Sequence, residues 1–190
     1  MTCLALAVST TQAATAQSPD YAALFDRGVT YTEFMRDANA RRSTWDANNA
    51  KAAIPDDIAT RARALTHTWR VLAIAIDSCS DSAQSIPYVA KLVSTAPDRL
   101  SLRLVDNQVG LPAMEAHRTP DGRAATPTLI FIRDDGEIRA WVERPGALVA
   151  WLDAEKKGHP DTDVLGGKTG WYERDAGRST LADIISLLEK

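Results

Sequence analysis

Cysteine is nearly absent from this chain of 190 residues: Cys3 and Cys79 are the only two, so neither a disulfide framework nor a cysteine-rich metal site can be built. Histidine is almost as scarce. His67, His117 and His159 lie far apart without the spacing of zinc ligands, and no structural zinc or other metal site is expected. A surplus of one charge is lacking too, since 22 Lys and Arg face 25 Asp and Glu, and the basic residues are scattered. No cationic stripe points to a nucleic acid or to an anionic membrane surface. No hydrophobic run is long enough to span a membrane. What is present, 45% hydrophobic and 25% charged residues, suits a soluble chain with one core of ordinary size.

The opening MTCLALAVSTTQAATAQS carries a short apolar patch, Cys3 to Val8, and a small-residue Ala14-Thr15-Ala16, as in a secretory signal, but no basic segment. Three readings stand side by side: a disordered tail, a frayed helix, and the end of a signal that starts upstream. Residues 1–18 are therefore set apart, and 19–190 are read as a single domain with a core of about 66–156 and helical additions at about 19–65 and 171–190. A cytoplasmic location is expected, because no complete export signal is visible and a lone thiol persists most easily in reducing surroundings. If residues 1–16 end a signal peptide, the location is periplasmic or secreted.

From Tyr21 to about Leu65 apolar residues recur at helical steps: Tyr21, Leu24 and Phe25, then Tyr31, Phe34 and Met35. Arg27-Gly28 ends the first helix, Thr30 caps the second, and Pro55-Asp56-Asp57 opens another. The pattern then changes. Trp69 to Ile76 is a continuous apolar run, the mark of a strand covered on both faces, and Leu100 to Val105 alternates as a second strand. Between them Ala83 to Val93 reads as a helix, giving a parallel crossover. After a short helix, Leu111 to His117, comes the strand Thr128 to Ile132, a tight turn at Arg133 to Gly136, and an antiparallel partner, Glu137 to Val142. Pro145 to Asp153 reads as a helix, His159 to Gly170 as a loop, and Ser179-Thr180 as the cap of a last helix, Leu181 to Leu188. Within that loop Leu165-Gly166-Gly167-Lys168-Thr169 resembles a phosphate-binding loop, yet its first glycine would fall at Thr162, no strand precedes it and no helix is expected after it. It reads as a surface turn.

The chemistry centres on Ile76-Asp77-Ser78-Cys79-Ser80-Asp81-Ser82. A cysteine after a buried strand and in the first turn of the next helix meets unpaired N–H groups and the positive end of the helix dipole, worth about 0.3–1 kcal/mol, and both favour thiolate. Asp81 opposes that effect if its carboxylate faces the sulfur; the alternative is that it caps or solvates the helix N-terminus. The X-Pro bond of Thr126-Pro127, just before the strong strand, can be cis and would present backbone groups to an incoming chain. Pro87 lies inside the helix and should bend it. A plain alternative is that Cys79 is a small buried hydrophobe. His117 reads as a surface helix residue, and the five tryptophans as packing.

Strand, cysteine turn, helix with a proline eight residues after the cysteine, strand, then Thr-Pro before a hairpin: this order resembles the thioredoxin superfamily, an α/β fold with a central mixed sheet flanked by helices. More narrowly it is similar to bacterial members with an N-terminal helical extension and a Gly-x-Thr-Tyr-like turn, here Gly28-Val29-Thr30-Tyr31. The resemblance implies thiol–disulfide chemistry at Cys79, with Asp81 and Ser82 beside it and Thr126 and Pro127 holding the substrate chain. Ser82 stands where dithiol members carry the resolving cysteine, Ser80 replaces Gly, Ser78 stands in place of Trp, and Ala73 occupies the position of the buried acid. Dithiol chemistry is therefore excluded, and the site reads as C-x-x-S. What remains is one-cysteine exchange on a protein or small-molecule thiol, with no cofactor beyond an external thiol such as glutathione as reductant. Ser82 could donate its hydroxyl to the thiolate. A redox-inactive binding or adaptor module on the same fold is the alternative.

Overall fold

A computed structural model describes residues 18–159 and 164–190. The N-terminal part folds as α1 (Tyr21–Asp26), α2 (Tyr31–Asp37), α3 (Arg42–Lys51) and α4 (Asp56–Arg63). Thr30 caps α2 as expected, in a reciprocal box: its hydroxyl accepts from the Glu33 N–H, and the Glu33 carboxylate accepts from the Thr30 N–H. Gly28 allows the chain between α1 and α2 to lie against the sheet edge, because a Cβ there would sit 2.7 Å from the Arg103 Cβ. Val29 and Leu104 then exchange two backbone hydrogen bonds of 2.9 Å.

The sheet has four strands in the order β2-β1-β3-β4, with β1 (Trp69–Ile74), β2 (Leu100–Val105), β3 (Thr128–Arg133) and β4 (Ile138–Val142). β1 runs parallel to β2 and antiparallel to β3, and β3 runs antiparallel to β4. Alternation along the strands explains the apolar run of β1. Val71, Ala73, Leu129 and Phe131 pack with Ile86 and Val89 of α5 (Ser80–Thr95) and with Ile184 and Ile185 of the last helix. Leu72, Ile74, Ile130 and Ile132 pack on the other face with Leu24 and Phe25 and with Met114 of α6 (Leu111–Ala116). The strand ends two residues earlier than its hydrophobicity suggests. The Ile76 carbonyl is drawn out of the ladder into a turn, where it accepts from the Cys79 N–H at 3.2 Å.

Pro87 lies inside α5 and cannot donate to the Ala83 carbonyl one turn back. A buried side chain replaces the missing donor: Asn48 of α3 gives one N–H to the Ala83 carbonyl at 2.8 Å, and its Nδ2 also lies 3.0 Å from the Gln84 Oε1. The helix that carries the cysteine is thus completed by a residue 35 positions away in sequence.

The C-terminal part departs from the reading of the sequence. After α7 (Gly146–Gly158), a 3-10 turn at Val164–Gly167 leads directly into α8 (Lys168–Asp175), where a loop was expected to Gly170. A helix therefore does follow the Gly-Gly-Lys motif, although a helix and not a strand precedes it. The final helix, α9 (Arg178–Leu188), begins before Ser179-Thr180, so neither residue is its cap. Its N-cap is Gly177 at φ 77, where any Cβ would lie 2.3 Å from the Tyr88 ring, and the Ser179 hydroxyl turns instead to Asp175. Residues 1–17, with Cys3 and the proposed signal-like patch, lie outside the described residues. No helix among the described residues is long and apolar enough to cross a membrane.

Candidate active site around Cys79

Cys79 occupies the N-cap of α5, one position before the first turn, with extended backbone (φ −78, ψ 123). The thiol is half-buried and not paired in a disulfide. The Ser82 backbone N–H points at Sγ at 3.4 Å, as an N-cap side chain requires, and Sγ donates to the Thr126 carbonyl at 3.2 Å. Hence Cys79, Ser82, Thr126 and Pro127 meet in one place. The contact from Ser82 is backbone, not hydroxyl: its Oγ is fully buried and has no hydrogen-bond partner among the described residues. The Thr126–Pro127 peptide bond is cis. Its loop is tied down by the Thr128 hydroxyl, which donates to the Ala125 carbonyl at 2.7 Å, and by the Glu143 N–H, which donates to the Pro127 carbonyl at 2.7 Å.

The N-terminal helices hold the turn before Cys79 through its backbone. The Trp45 indole N–H donates to the Asp77 carbonyl at 2.9 Å, and Arg41 Nε donates to the Ser78 carbonyl at 2.6 Å. The Asp77 carboxylate accepts from the N–H groups of Asn39 and Ala40, at 2.8 Å each, and these bonds hold it below the usual carboxylate range. A cavity of about 370 Å³ opens beside this turn at the ends of β1 and β2, on the side away from Thr126.

Asp81 neither caps the helix nor faces solvent. It is 4% exposed, and three side chains converge on its carboxylate: Lys168 Nζ at 2.7 Å, the Tyr172 hydroxyl at 2.9 Å and Arg144 Nη2 at 3.2 Å. Lys168 also reaches the Ser80 hydroxyl at 3.2 Å. Burial works against the charge on Arg144, yet Asp81 and Glu143 outweigh it and raise the guanidinium above its usual value. Burial, and then the charge of Asp81, push the Tyr172 phenol well up, so the hydroxyl is a donor. Glu143 in turn takes two bonds from Arg123, at 2.9 and 3.1 Å, on the approach to Thr126. Lys168, Tyr172, Arg144 and Asn48 are the site residues the sequence alone does not single out. Pro87 was the one available signal for Asn48, since a proline within a helix orphans a carbonyl.

Ala73 is fully buried in β1, so that position supplies no acid. His117 is half-buried rather than on the surface: its Nε2 lies 2.8 Å from the Tyr21 hydroxyl, and burial lowers its pKa. It makes no hydrogen bond to Cys79. Among the described residues no group of three or more His, Cys, Asp or Glu side chains could hold a metal ion.

Two solved structures share the architecture: an HIV epitope-scaffold at 16% identity and a protein of unknown function from Pseudomonas aeruginosa at 17% identity. Each has a TM-score of 0.70 and covers 90% of this chain and 98% of its own. At such identity they speak for the fold alone. No curated protein sequence matches the chain. Residues 28–156 match the family model described as Thioredoxin, a span running from the turn before α2 through both strand pairs into α7 and containing Cys79 and Thr126-Pro127. With more than half of its length inside that match and a mixed sheet flanked by helices around the cysteine turn, the chain belongs to the thioredoxin family.

Proposed function

We propose that this thioredoxin-family chain carries out thiol–disulfide exchange through a single sulfur, Cys79. The observation that supports the reading best is the half-buried thiol at the N-cap of a 16-residue helix, 3.2 Å from the carbonyl that precedes Pro127. In the first step the Cys79 thiolate attacks one sulfur of a disulfide R–S–S–R′. The Cys79–S–S–R bond forms and R′–S⁻ leaves with the electron pair of the broken bond. An external thiolate such as that of glutathione then attacks the R sulfur, forms the new disulfide with R, and returns Cys79 as thiolate. Ser82 cannot do this internally. The Thr126 carbonyl can bond the S–H form only, so ionisation of Cys79 releases it to accept an N–H from an extended client. The client is a protein or small-molecule thiol or disulfide, and no bound cofactor takes part. Residues 19–190 act as one unit, in the cytoplasm or, should residues 1–16 close a signal peptide, in the periplasm or outside the cell.

One observation favours a second reading, a binding module without turnover: both hydrogen bonds of the Cys79 sulfur are to backbone groups, and the Ser82 hydroxyl has no partner among the described residues, so no side chain is in place to move a proton for it. Deglutathionylation of a glutathionylated peptide, with wild type and Cys79→Ser compared, separates the two. Exchange requires loss of turnover in the variant. Equal rates exclude it.

A further inference from the structure

We propose that Lys168, from the Gly-Gly-Lys motif that begins α8, is a positioning residue for the Cys79 thiolate, holding the Asp81 carboxylate aside and offsetting its charge. The inference rests on the reading of Cys79 as a reactive sulfur. Asp81 lies two residues after Cys79 in the first turn of α5, where an unopposed buried carboxylate repels a thiolate. Lys168 makes the shortest contact to it, 2.7 Å, and with its other hydrogen bond pins the Ser80 hydroxyl, next to the cysteine. Its side chain is 12% exposed, so the charge acts with little screening.

The other cations nearby are already shared. Arg144 divides its guanidinium between Asp81 and Glu143, and Glu143 in turn draws on Arg123, which also pairs with Asp121. Other charged or titratable groups near the turn are Asp77, held by the N–H groups of Asn39 and Ala40, Arg41 on the Ser78 carbonyl, Tyr172, a neutral donor, and Lys51 and Glu173, which line a cavity with Gln84 and Thr169. Lys168 is the one cation here whose only carboxylate partner among the described residues is Asp81. Deleting it leaves Asp81 with the neutral Tyr172 hydroxyl and a guanidinium shared with Glu143, so its charge near the sulfur is only partly offset.

The test reads alkylation of Cys79 by iodoacetamide at pH 7 and at pH 10, which needs no disulfide substrate. For Lys168→Met the pH 7 rate should fall about threefold to tenfold while the pH 10 rate stays that of wild type, because the charge alters the thiolate fraction and not access. Lys168→Arg should restore the pH 7 rate, and Asp81→Asn in the Lys168→Met background should do the same by removing the charge that needed offsetting. An unchanged pH 7 rate overturns the proposal; so does an equal loss at both pH values, which would mean altered packing. If Lys168→Met does not fold, Lys168→Gln is compared with Lys168→Arg on the same criteria. Disulfide exchange is measured separately on the same proteins. A wild type that alkylates as stated yet exchanges no disulfide sinks the functional reading and leaves this one standing, and a wild type that exchanges but shows no Lys168 effect does the reverse.

Discussion

The two ends of the chain grip the cysteine turn and the start of α5 by different physics. From the N-terminal side, Asn39, Ala40, Trp45 and Asn48 form hydrogen bonds along residues 77–84: the first two donate backbone N–H groups to the Asp77 carboxylate, and the other two donate side-chain N–H groups to the Asp77 and Ala83 carbonyls. From the C-terminal side, Arg144, Lys168 and Tyr172 converge on a single carboxylate. Short-range bonds to the backbone decide where the sulfur sits, whereas buried charge decides the field it feels. If Cys79 is the reactive sulfur proposed above, shape and reactivity are set by separate parts of the molecule, and substitutions can separate them.

The largest loss is expected at Asp81. Replacing it with Asn leaves Lys168 and Arg144 without their shared counter-charge and should cost about 3–5 kcal/mol, read as a lower urea midpoint. Next comes Asn48→Ala, which strips the last donor from the Ala83 carbonyl and should cost about 1–3 kcal/mol. In a Pro87→Ala background residue 87 regains its N–H and can serve that carbonyl, so the same substitution should lose most of its effect. A cycle that shows no such coupling would break the account of α5. Trp45→Phe, which keeps the ring but removes the indole donor to the Asp77 carbonyl, should cost about 1–2 kcal/mol and leave the pH profile of Cys79 alkylation unmoved. If it moves that profile as far as Lys168→Met does, the division between shape and charge fails.

The smallest effect concerns Asp77. Its folded pKa is depressed by the Asn39 and Ala40 N–H groups, so its contribution is complete above the unfolded carboxylate value of about 3.9 and is lost as pH falls through the folded value. The difference in urea midpoint between wild type and Asp77→Asn should therefore be constant from pH 7 to about pH 5 and close in more acidic solution.

Much of the architecture can be read along the chain because it is local. β1 is apolar but for Arg70, β2 alternates, and the Asp-Asp-Gly turn between β3 and β4 announces a hairpin. α8 escapes such reading, since Gly166, Gly167 and Gly170 crowd its start and only Tyr172 of α8 is buried. Tertiary contacts make it a helix. Asp81 shows the same limit from another direction: alone in the sequence it suggests a solvated first-turn acid, and what buries it lies far away. The Ser82 hydroxyl was the natural donor to expect near the sulfur, but N-cap geometry turns its backbone N–H to that role.

The partners of Asp81 follow it by 63, 87 and 91 residues. A ribosome adding about 5–20 residues per second makes Cys79 several seconds before Lys168 exists. Asp81 can therefore be buried with its charge matched only after the tail has been synthesised and docked, and on the reading proposed for Lys168 the sulfur reaches its final reactivity only at that point.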